Sequence, residues 1–562
     1  MTEVVTSANP GLAQPLLAKR TSKSWMISAL VTTAIVALPV LSVLVLAFFP
    51  EENIWPHLLD TTLPRYLTTT LQLMAGVGVL TLVIGLATAW AVTMCEFPGR
   101  KFFEWALLLP FAIPAYVIAY VYTSLLDYAG PVQSSLRDWF GWANASEYWF
   151  PEIRSLEGAI LMISLVLYPY VYLLARAAFL EQSPSLFSVS RSLGHSALST
   201  FFRVVLPIAR PAIAVGLSLV LMETLNDFGT VDFFAVQTLT AGLFDTWMNL
   251  GNLGGAAQIA TTMLIFVVIL VTLERYSRRR QQQFAARDNR DPIHRFTMSF
   301  PRQMICVATC AVPLIFGFII PASTLGYYAW DYFDESWTPD FIENTFNSLF
   351  LSSAAAMTTL LIGITLAYSR RLHNTRGMQI LMRLSSLGYA MPGAVLAVGV
   401  IVPLAGFDNW LDSLMRDYFG FSTGLLLSGS AFALVFAYTV RFLAVSAGSV
   451  ESALQKVTPS MDMASRSLGH TPGKTLVKVH LPMLRGTLVT AALVVFVDCM
   501  KELPATLILR PFNFETLATY VYQFASDEML QHSALPSLII VLAGIIPIIL
   551  MNRSISNSRT MA

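Results

Sequence analysis

The chain has 562 residues, 55% of them hydrophobic and 12% charged, with a formal net charge of +1 and a mean hydropathy of +0.62. Soluble globular domains carry about a quarter charged residues, so half that share excludes an ordinary soluble enzyme and points to a membrane protein. Net charge this near zero selects no class of partner, and four cysteines (Cys95, Cys306, Cys310 and Cys499) make no disulfide framework. Cys306 and Cys310 stand four apart in an apolar segment. A metal or redox pair fits that spacing, and so does a pair of small buried hydrophobes.

A bilayer core takes about 20 apolar residues per helix. In chain order the first half offers 25–49, 66–94, 102–126, 158–180, 204–228 and 257–273, and the second 304–330, 346–368, 380–405, 424–446, 479–500 and 534–551. These runs predict an all-α polytopic membrane protein of about twelve transmembrane helices. The first run is too long for a signal-peptide core and lacks a small-residue cleavage site, so it is expected to be retained. The expected division is a tail at 1–24, a first unit at 25–275, a basic linker at 276–303, a second unit at 304–552 and a tail at 553–562.

Charge falls in alternate loops. Lys19, Arg20 and Lys23, then Arg100 and Lys101, Arg191 and Arg203, the run from Arg275 to Arg302, Arg370 to Arg376, Lys456 to Arg485, and Arg553 all lie on one side. The opposite loops carry Glu51, Glu52, Asp60, Asp331, Asp334, Glu335, Asp340, Asp408 and Asp412. The positive-inside rule makes the basic side cytoplasmic, with both termini there. The basic run in mid-chain reads as a solvated linker obeying that rule, not as a nucleic-acid or specific lipid site.

The hexapeptide Ser190-Arg191-Ser192-Leu193-Gly194-His195 recurs letter for letter as Ser465-Arg466-Ser467-Leu468-Gly469-His470, a shift of 275 residues. Leu206-Pro207 and Leu481-Pro482 follow at the same shift, while Ile84-Gly85 matches Ile362-Gly363, and Pro114 matches Pro392, at 278. Two sequence-related units with an even number of spans each are parallel repeats about an axis along the membrane normal. Their product is a pathway on that axis. A polar hexapeptide duplicated within a membrane protein is not explained by burial.

These loops resemble the EAA loop of ABC importer permeases, in which Gly and a Leu-Pro pair stand at this spacing. The resemblance implies a MetI-like fold and a cytosolic docking surface for a separate ABC ATPase, in two copies, which carries the ATP-Mg. The docking candidates are Ser190, Arg191, Ser192, Leu193, Gly194, Leu206, Pro207, Ser465, Arg466, Ser467, Leu468, Gly469, Leu481 and Pro482. The family's leading Glu is replaced by Ser188 and Met463, which shifts the expected polar anchors to Arg191 and Arg466. Asp462, one position away, is a substitute only in the second unit. A glycine at the end of a short helix reaches φ > 0 freely, and the proline suits the first turn of the next helix. The run Gly469 to Thr475 imitates a phosphate-binding loop, but it has three residues between its glycines where Walker A needs four. No cofactor is expected on this chain, and His195 and His470 read as contact residues.

At the far end of the helices that follow the loops, Glu223 matches Asp498, Asn226 matches Lys501 and Asp227 matches Glu502, again at a shift of 275. The acids within each helix are four apart and share a face. From Pro207 to Glu223 an α-helix rises roughly 24 Å, so these carboxylates lie in the outer part of the membrane, where they need a watery cavity or a partner. Glu223, Asp227, Asp498 and Glu502 are therefore the candidate metal ligands or gate. An acid network neutralised by Lys501 and closing the outer gate explains the same pattern. The segments Asn226 to Val231 and Lys501 to Leu507, with Leu509-Arg510-Pro511, resemble the fused two-half permeases of ferric iron ABC importers. That resemblance implies Fe³⁺ as cargo, a binding protein at the extracytoplasmic face, and an inner-membrane location. Thiamine and phosphonate permeases share the architecture. A secondary transporter driven by an ion gradient also permits repeats and intramembrane acids, but does not account for the duplicated hexapeptide.

Overall fold

The structure, a computed structural model, describes residues 23–180, 182, 189–190, 192–194, 196–278, 295–373 and 375–560. Ser188, Arg191, His195 and most of the expected linker lie outside these residues. Apart from one isolated bridge between Cys95 and Phe296, the described regular elements are helical. Helices suit a bilayer because each satisfies its own backbone polar groups.

The first unit comprises α1 (Lys23–Phe48), α2 (Leu63–Met94), α3 (Arg100–Ala106), α4 (Ala115–Leu126), α5 (Pro131–Phe140), α6 (Leu156–Leu180), α7 (Leu206–Asn226) and α8 (Leu253–Arg278). The second comprises α9 (Phe300–Leu314), α10 (Ile320–Asp331), α11 (Pro339–Leu372), α12 (Arg376–Ser385), α13 (Gly393–Phe419), α14 (Ala431–Gln455), α15 (Pro459–Ser467), α16 (Leu481–Met500) and α17 (Ala534–Thr560).

Among the described residues ten helices are long and apolar enough to cross a membrane, or eleven if one bent pair counts as a span, against the twelve expected. The bent pair is the expected span 102–126, which turns by 90° between Ala112 and Ala115. Pro114 is the cause. It lacks an N–H and drives its predecessor out of the helical region, and Ile113 is extended at φ −89°, ψ 123°. Pro392 does the same to Met391 (φ −78°, ψ 131°), so the ninth expected span starts at Gly393 and not at 380. The twelfth expected span lies in α17, whose described apolar stretch covers Ala534–Ile549.

The matched glycines Gly85 and Gly363 sit at helix crossings. A Cβ on Gly85 in α2 would lie 2.7 Å from Val171 Cβ in α6, and one on Gly363 in α11 would lie 3.0 Å from the Ala447 nitrogen in α14. Small residues let membrane helices approach to backbone distance, which is why Ile-Gly recurs in both units. The units also interlock. Gly399 of α13 packs on the Pro39 carbonyl of α1, and Gly317, between α9 and α10, packs on the Leu165 carbonyl of α6. Tyr122 of α4 donates to the Phe316 carbonyl at 2.7 Å. The first helix of each unit thus packs on the other unit.

Candidate functional site

The expected pathway residues gather in one cavity of about 110 Å³ at the ends of α7 and α16 remote from the hexapeptides. Its wall includes Glu223, Asn226, Asp227, Asp498, Lys501 and Glu502, together with Tyr116, Tyr170, Tyr389 and Arg441. Both helices stop here and restart as the short helices Gly229–Phe233 and Pro504–Leu509. The outer acid of each pair caps the restart. Asp227 Oδ1 accepts from the Thr230 and Val231 nitrogens at 3.0 and 3.2 Å. Glu502 Oε1 and Oε2 accept from the Ala505 and Thr506 nitrogens at 3.1 Å each. A carboxylate on a helix N-terminus satisfies donors with no partner of their own. The acid-for-acid match of the two units therefore has a structural reason.

The units differ in how they compensate this charge. Arg441 of α14 pairs with Glu502 at 2.8 Å, their side chains 8% and 1% exposed. Lys501 reaches Asp498 at 3.0 Å and lies 4.4 Å from the Phe111 ring centroid. A shift of 275 puts Val166 at the position of Arg441 and Asn226 at that of Lys501, and among the described residues no Lys or Arg of the first unit lines the cavity. Asn226 instead accepts from the Gly393 nitrogen across the unit boundary at 2.5 Å. A Cβ on Gly393 would lie 2.4 Å from Arg441 Nη1 and 2.5 Å from Glu502 Oε1, so a larger residue would displace this pair. Glu223 is half-buried and makes no hydrogen bond to a described residue.

Four carboxylates thus face two cations, a formal excess of two negative charges around the cavity. Among the described residues no three His, Cys, Asp or Glu side chains converge closely enough to hold a metal ion. Two of the four carboxylates are engaged as caps, and Glu223 and Asp498 remain the inner pair. The Tyr116 hydroxyl is buried on the cavity wall without a hydrogen-bond partner among the described residues. Sequence reasoning missed Arg441, although a lone arginine within the apolar run 424–446 was a signal. The tyrosines carried none.

At the opposite end the two hexapeptide loops share their geometry. Gly194 and Gly469 both adopt φ +77° with open space around them. Ser190 bonds Thr200 and Ser465 bonds Thr475, hydroxyl to hydroxyl, at 2.8 Å in each unit. Both serines are buried, so these two docking candidates tie the loop internally. Ser192, Gly194, Ser467 and Gly469 are exposed, Leu193 and Leu468 are 71% and 77% exposed, and Arg466 is half-buried. Each loop then enters its long helix through a π turn, Phe201–Val205 and Leu476–His480, which brings Leu206-Pro207 and Leu481-Pro482 to the first turn of α7 and α16.

Asp462 is occupied within the fold. Arg371 donates to it at 3.0 and 2.7 Å, and His480 stands at 2.7 Å. Burial alone would raise this carboxyl, but the bonds from His480 and Arg371 prevail and hold it below the usual carboxylate range. Asp408 and Asp412 are likewise not free surface acids. Asp408 accepts from the Leu427 and Ser428 nitrogens, and Asp412 from those of Thr423 and Gly424.

Residues 82–283 and 359–558 each match the family described as the binding-protein-dependent transport system inner membrane component. The chain is 25% identical over 497 residues to the Fe(3+)-transport system permease protein FbpB 2 of Haemophilus influenzae, covering 87% of this chain and 89% of the relative. It is 22% identical over 520 residues to the ferric transport system permease protein FbpB of Actinobacillus pleuropneumoniae, covering 87% and 72%. The molybdenum transport system permease protein ModB of Escherichia coli matches over 212 residues at 26% identity, 37% of this chain but 89% of that protein. Most of that shorter protein is thus matched within little more than a third of this chain.

Proposed function

Because the chain belongs to the family of inner membrane components of binding-protein-dependent transport systems, we propose that it is the fused two-half permease of an ABC importer for Fe³⁺. The observation that carries the cargo is the excess of carboxylate over cation in the cavity, where Glu223, Asp227, Asp498 and Glu502 meet only Arg441 and Lys501. Hard cations prefer oxygen ligands, and an anion such as the cargo implied by the molybdenum permease's name would be repelled. The ferric transport permeases similar over 87% of the chain support the same cargo.

The distribution of Lys and Arg puts the hexapeptide loops and both termini in the cytosol. There, the exposed faces around Leu193-Gly194 and Leu468-Gly469 fit two copies of a separate ATPase, which binds the ATP-Mg. An extracytoplasmic binding protein delivers iron at the opposite face. Closure of the ATPase dimer draws the loops together, and the rigid α7 and α16 carry that displacement to the cavity. Arriving cargo neutralises the inner acids Glu223 and Asp498 and competes with Lys501 for Asp498. No covalent step is required of this chain. The matched loops favour this reading over an ion-gradient transporter, which has no use for them.

Radioactive ferric iron uptake into proteoliposomes tests the proposal. Uptake should require the ATPase subunit, ATP and an iron-loaded binding protein. Uptake driven by an ion gradient with no ATPase present would overturn it.

A further inference from the structure

A second duplicated hexapeptide lies at the outer face. Arg137-Asp138-Trp139-Phe140-Gly141-Trp142 recurs as Arg416-Asp417-Tyr418-Phe419-Gly420-Phe421, with aromatics replacing aromatics. Each copy ends a helix, α5 or α13, and each glycine takes a left-handed conformation, φ +70° at Gly141 and +72° at Gly420. The aromatics point outward. Trp139 and Phe140 are 86% and 62% exposed, and Tyr418 and Phe419 are 78% and 67% exposed.

Both tips are held rigid from behind. In the first, the Tyr148 hydroxyl accepts from Arg137 at 3.0 Å and donates to Gln133 at 2.5 Å, while the Trp142 ring stacks on Phe140 and Tyr148. In the second, Arg416 pairs with Asp412 at 2.7 Å, and Asp412 gathers the returning loop through Ser422, Thr423 and Gly424. Different residues achieve the same rigidity, so the shared feature is the presented aromatic surface.

The second tip stands clear of the bilayer. Contact between Gly399 and Pro39 fixes α13 against α1. Phe419 lies about 30 Å beyond Gly399 along its helix, whereas Phe48, the end of α1, lies about 14 Å beyond Pro39. The tip therefore projects about 16 Å past the apolar end of α1, more than the roughly 5–8 Å of a headgroup layer. Rigid aromatic surface at that height is exposed to water unless a protein covers it. Other loops on this side carry exposed acids, Glu51, Glu52, Asp331, Asp334 and Glu335.

We propose that the two aromatic tips are a paired docking surface for the extracytoplasmic binding protein, one tip seated in each lobe in an apolar pocket with a basic rim. This rests on the importer reading above. Aromatic anchors in desolvated pockets carry much of the affinity of such interfaces, and one copy per unit suits a partner that straddles the two-fold axis.

The test uses the permease–ATPase complex in nanodiscs and the iron-loaded binding protein purified from the same cells. Replacing the first tip (Trp139→Ser with Phe140→Ser) or the second (Tyr418→Ser with Phe419→Ser) should raise the binding-protein concentration for half-maximal ATPase stimulation at least about tenfold, a loss of about 1.4 kcal/mol. Removing both tips should abolish stimulation. Hydrolysis without binding protein, measured in parallel, reports that each complex is assembled. An unchanged half-stimulating concentration in both pairs would overturn the inference, as would strong quenching of Trp139 by brominated lipid, which would make the tips membrane anchors. A wild-type complex that its iron-loaded binding protein does not stimulate would overturn the importer reading itself.

Discussion

Arg441 donates to Glu502 across 2.8 Å in a pair almost wholly withdrawn from solvent, while Val166 occupies the matching place in the first unit. The repeat therefore builds a two-fold framework around a site that is not two-fold in charge. Both restart helices are capped by an acid, but only the cap of the second unit is held by an arginine. Charge compensation from one side leaves the first unit's Glu223 without a hydrogen bond among the described residues, facing the pair Asp498 and Lys501 from the other.

Breaking that pair should be costly, because removal of one partner leaves a buried charge uncompensated. Arg441→Met is expected to lower stability by about 3–5 kcal/mol, read as a fall in melting temperature of the detergent-solubilised protein. Arg441→Met combined with Glu502→Gln should recover part of that loss, since the remaining carboxamide is neutral. A double variant no more stable than the single would show that the pair is not the unit of stability.

The four acids should separate into two classes. Asp227→Asn weakens a helix cap, with an expected cost of about 1 kcal/mol. Glu502→Gln weakens a cap and also strands the buried Arg441, so it should cost more. Uptake is reduced in both as a consequence. Glu223→Gln touches neither a cap nor a described ion pair, so the fold should keep its melting temperature while iron uptake falls about tenfold, the effect of losing about 1.4 kcal/mol of cargo stabilisation. Asp498→Asn should lower uptake likewise but also gives up the pair with Lys501, so its melting temperature should fall. Uptake at the wild-type rate in the inner-pair variants would remove these residues from the pathway.

How much of this was legible in the sequence depends on the kind of signal. The duplicated glycines and acids were visible as letters, and the structure supplies their reasons: a crossing at Gly85 and Gly363, and a cap at Asp227 and Glu502. The break in the third span was legible in Pro114, which with Pro110 and Pro392 offers helix breaks along the pathway. It was not legible in hydropathy, which is blind to the extended Ile113 before that proline. Arg441 was hidden because it has no counterpart at Val166, and a search by repeat finds only what is repeated. Ser190 and Ser465 were read as contacts because they are polar, whereas their threonine partners lie ten residues on and turn them inward.

The exposed leucines of the cytosolic loops give a cleaner probe of docking than the glycines. Gly194→Val or Gly469→Val must force a branched side chain into φ +77°, at about 1–2 kcal/mol of local strain, so both fold and docking respond. Leu193→Ser and Leu468→Ser remove only exposed apolar surface. Copurification of the ATPase should weaken in the serine variants with the melting temperature of the isolated permease unchanged, and more so when both are replaced. Full ATPase recovery in the double variant would move the docking surface elsewhere.

Asp462 makes a pH prediction confined to the second unit. Its carboxyl is held below the ordinary range by His480 and Arg371, against the effect of burial. A depressed folded-state value means that the stabilisation is complete above the unfolded value, about 3.9, and disappears as pH falls through the folded one. At pH 7 Asp462→Asn should therefore lower the melting temperature, because Arg371 and His480 lose their charged acceptor while the backbone of α15 is unaltered. Towards pH 3 and below, wild type and variant should converge, the wild-type carboxyl becoming protonated. Comparing the two proteins at each pH cancels the acid sensitivity of every other carboxylate. A gap in melting temperature that stays constant from pH 7 to pH 2 would mean that packing, and not the charge on Asp462, joins α15 to Arg371 and the base of α16.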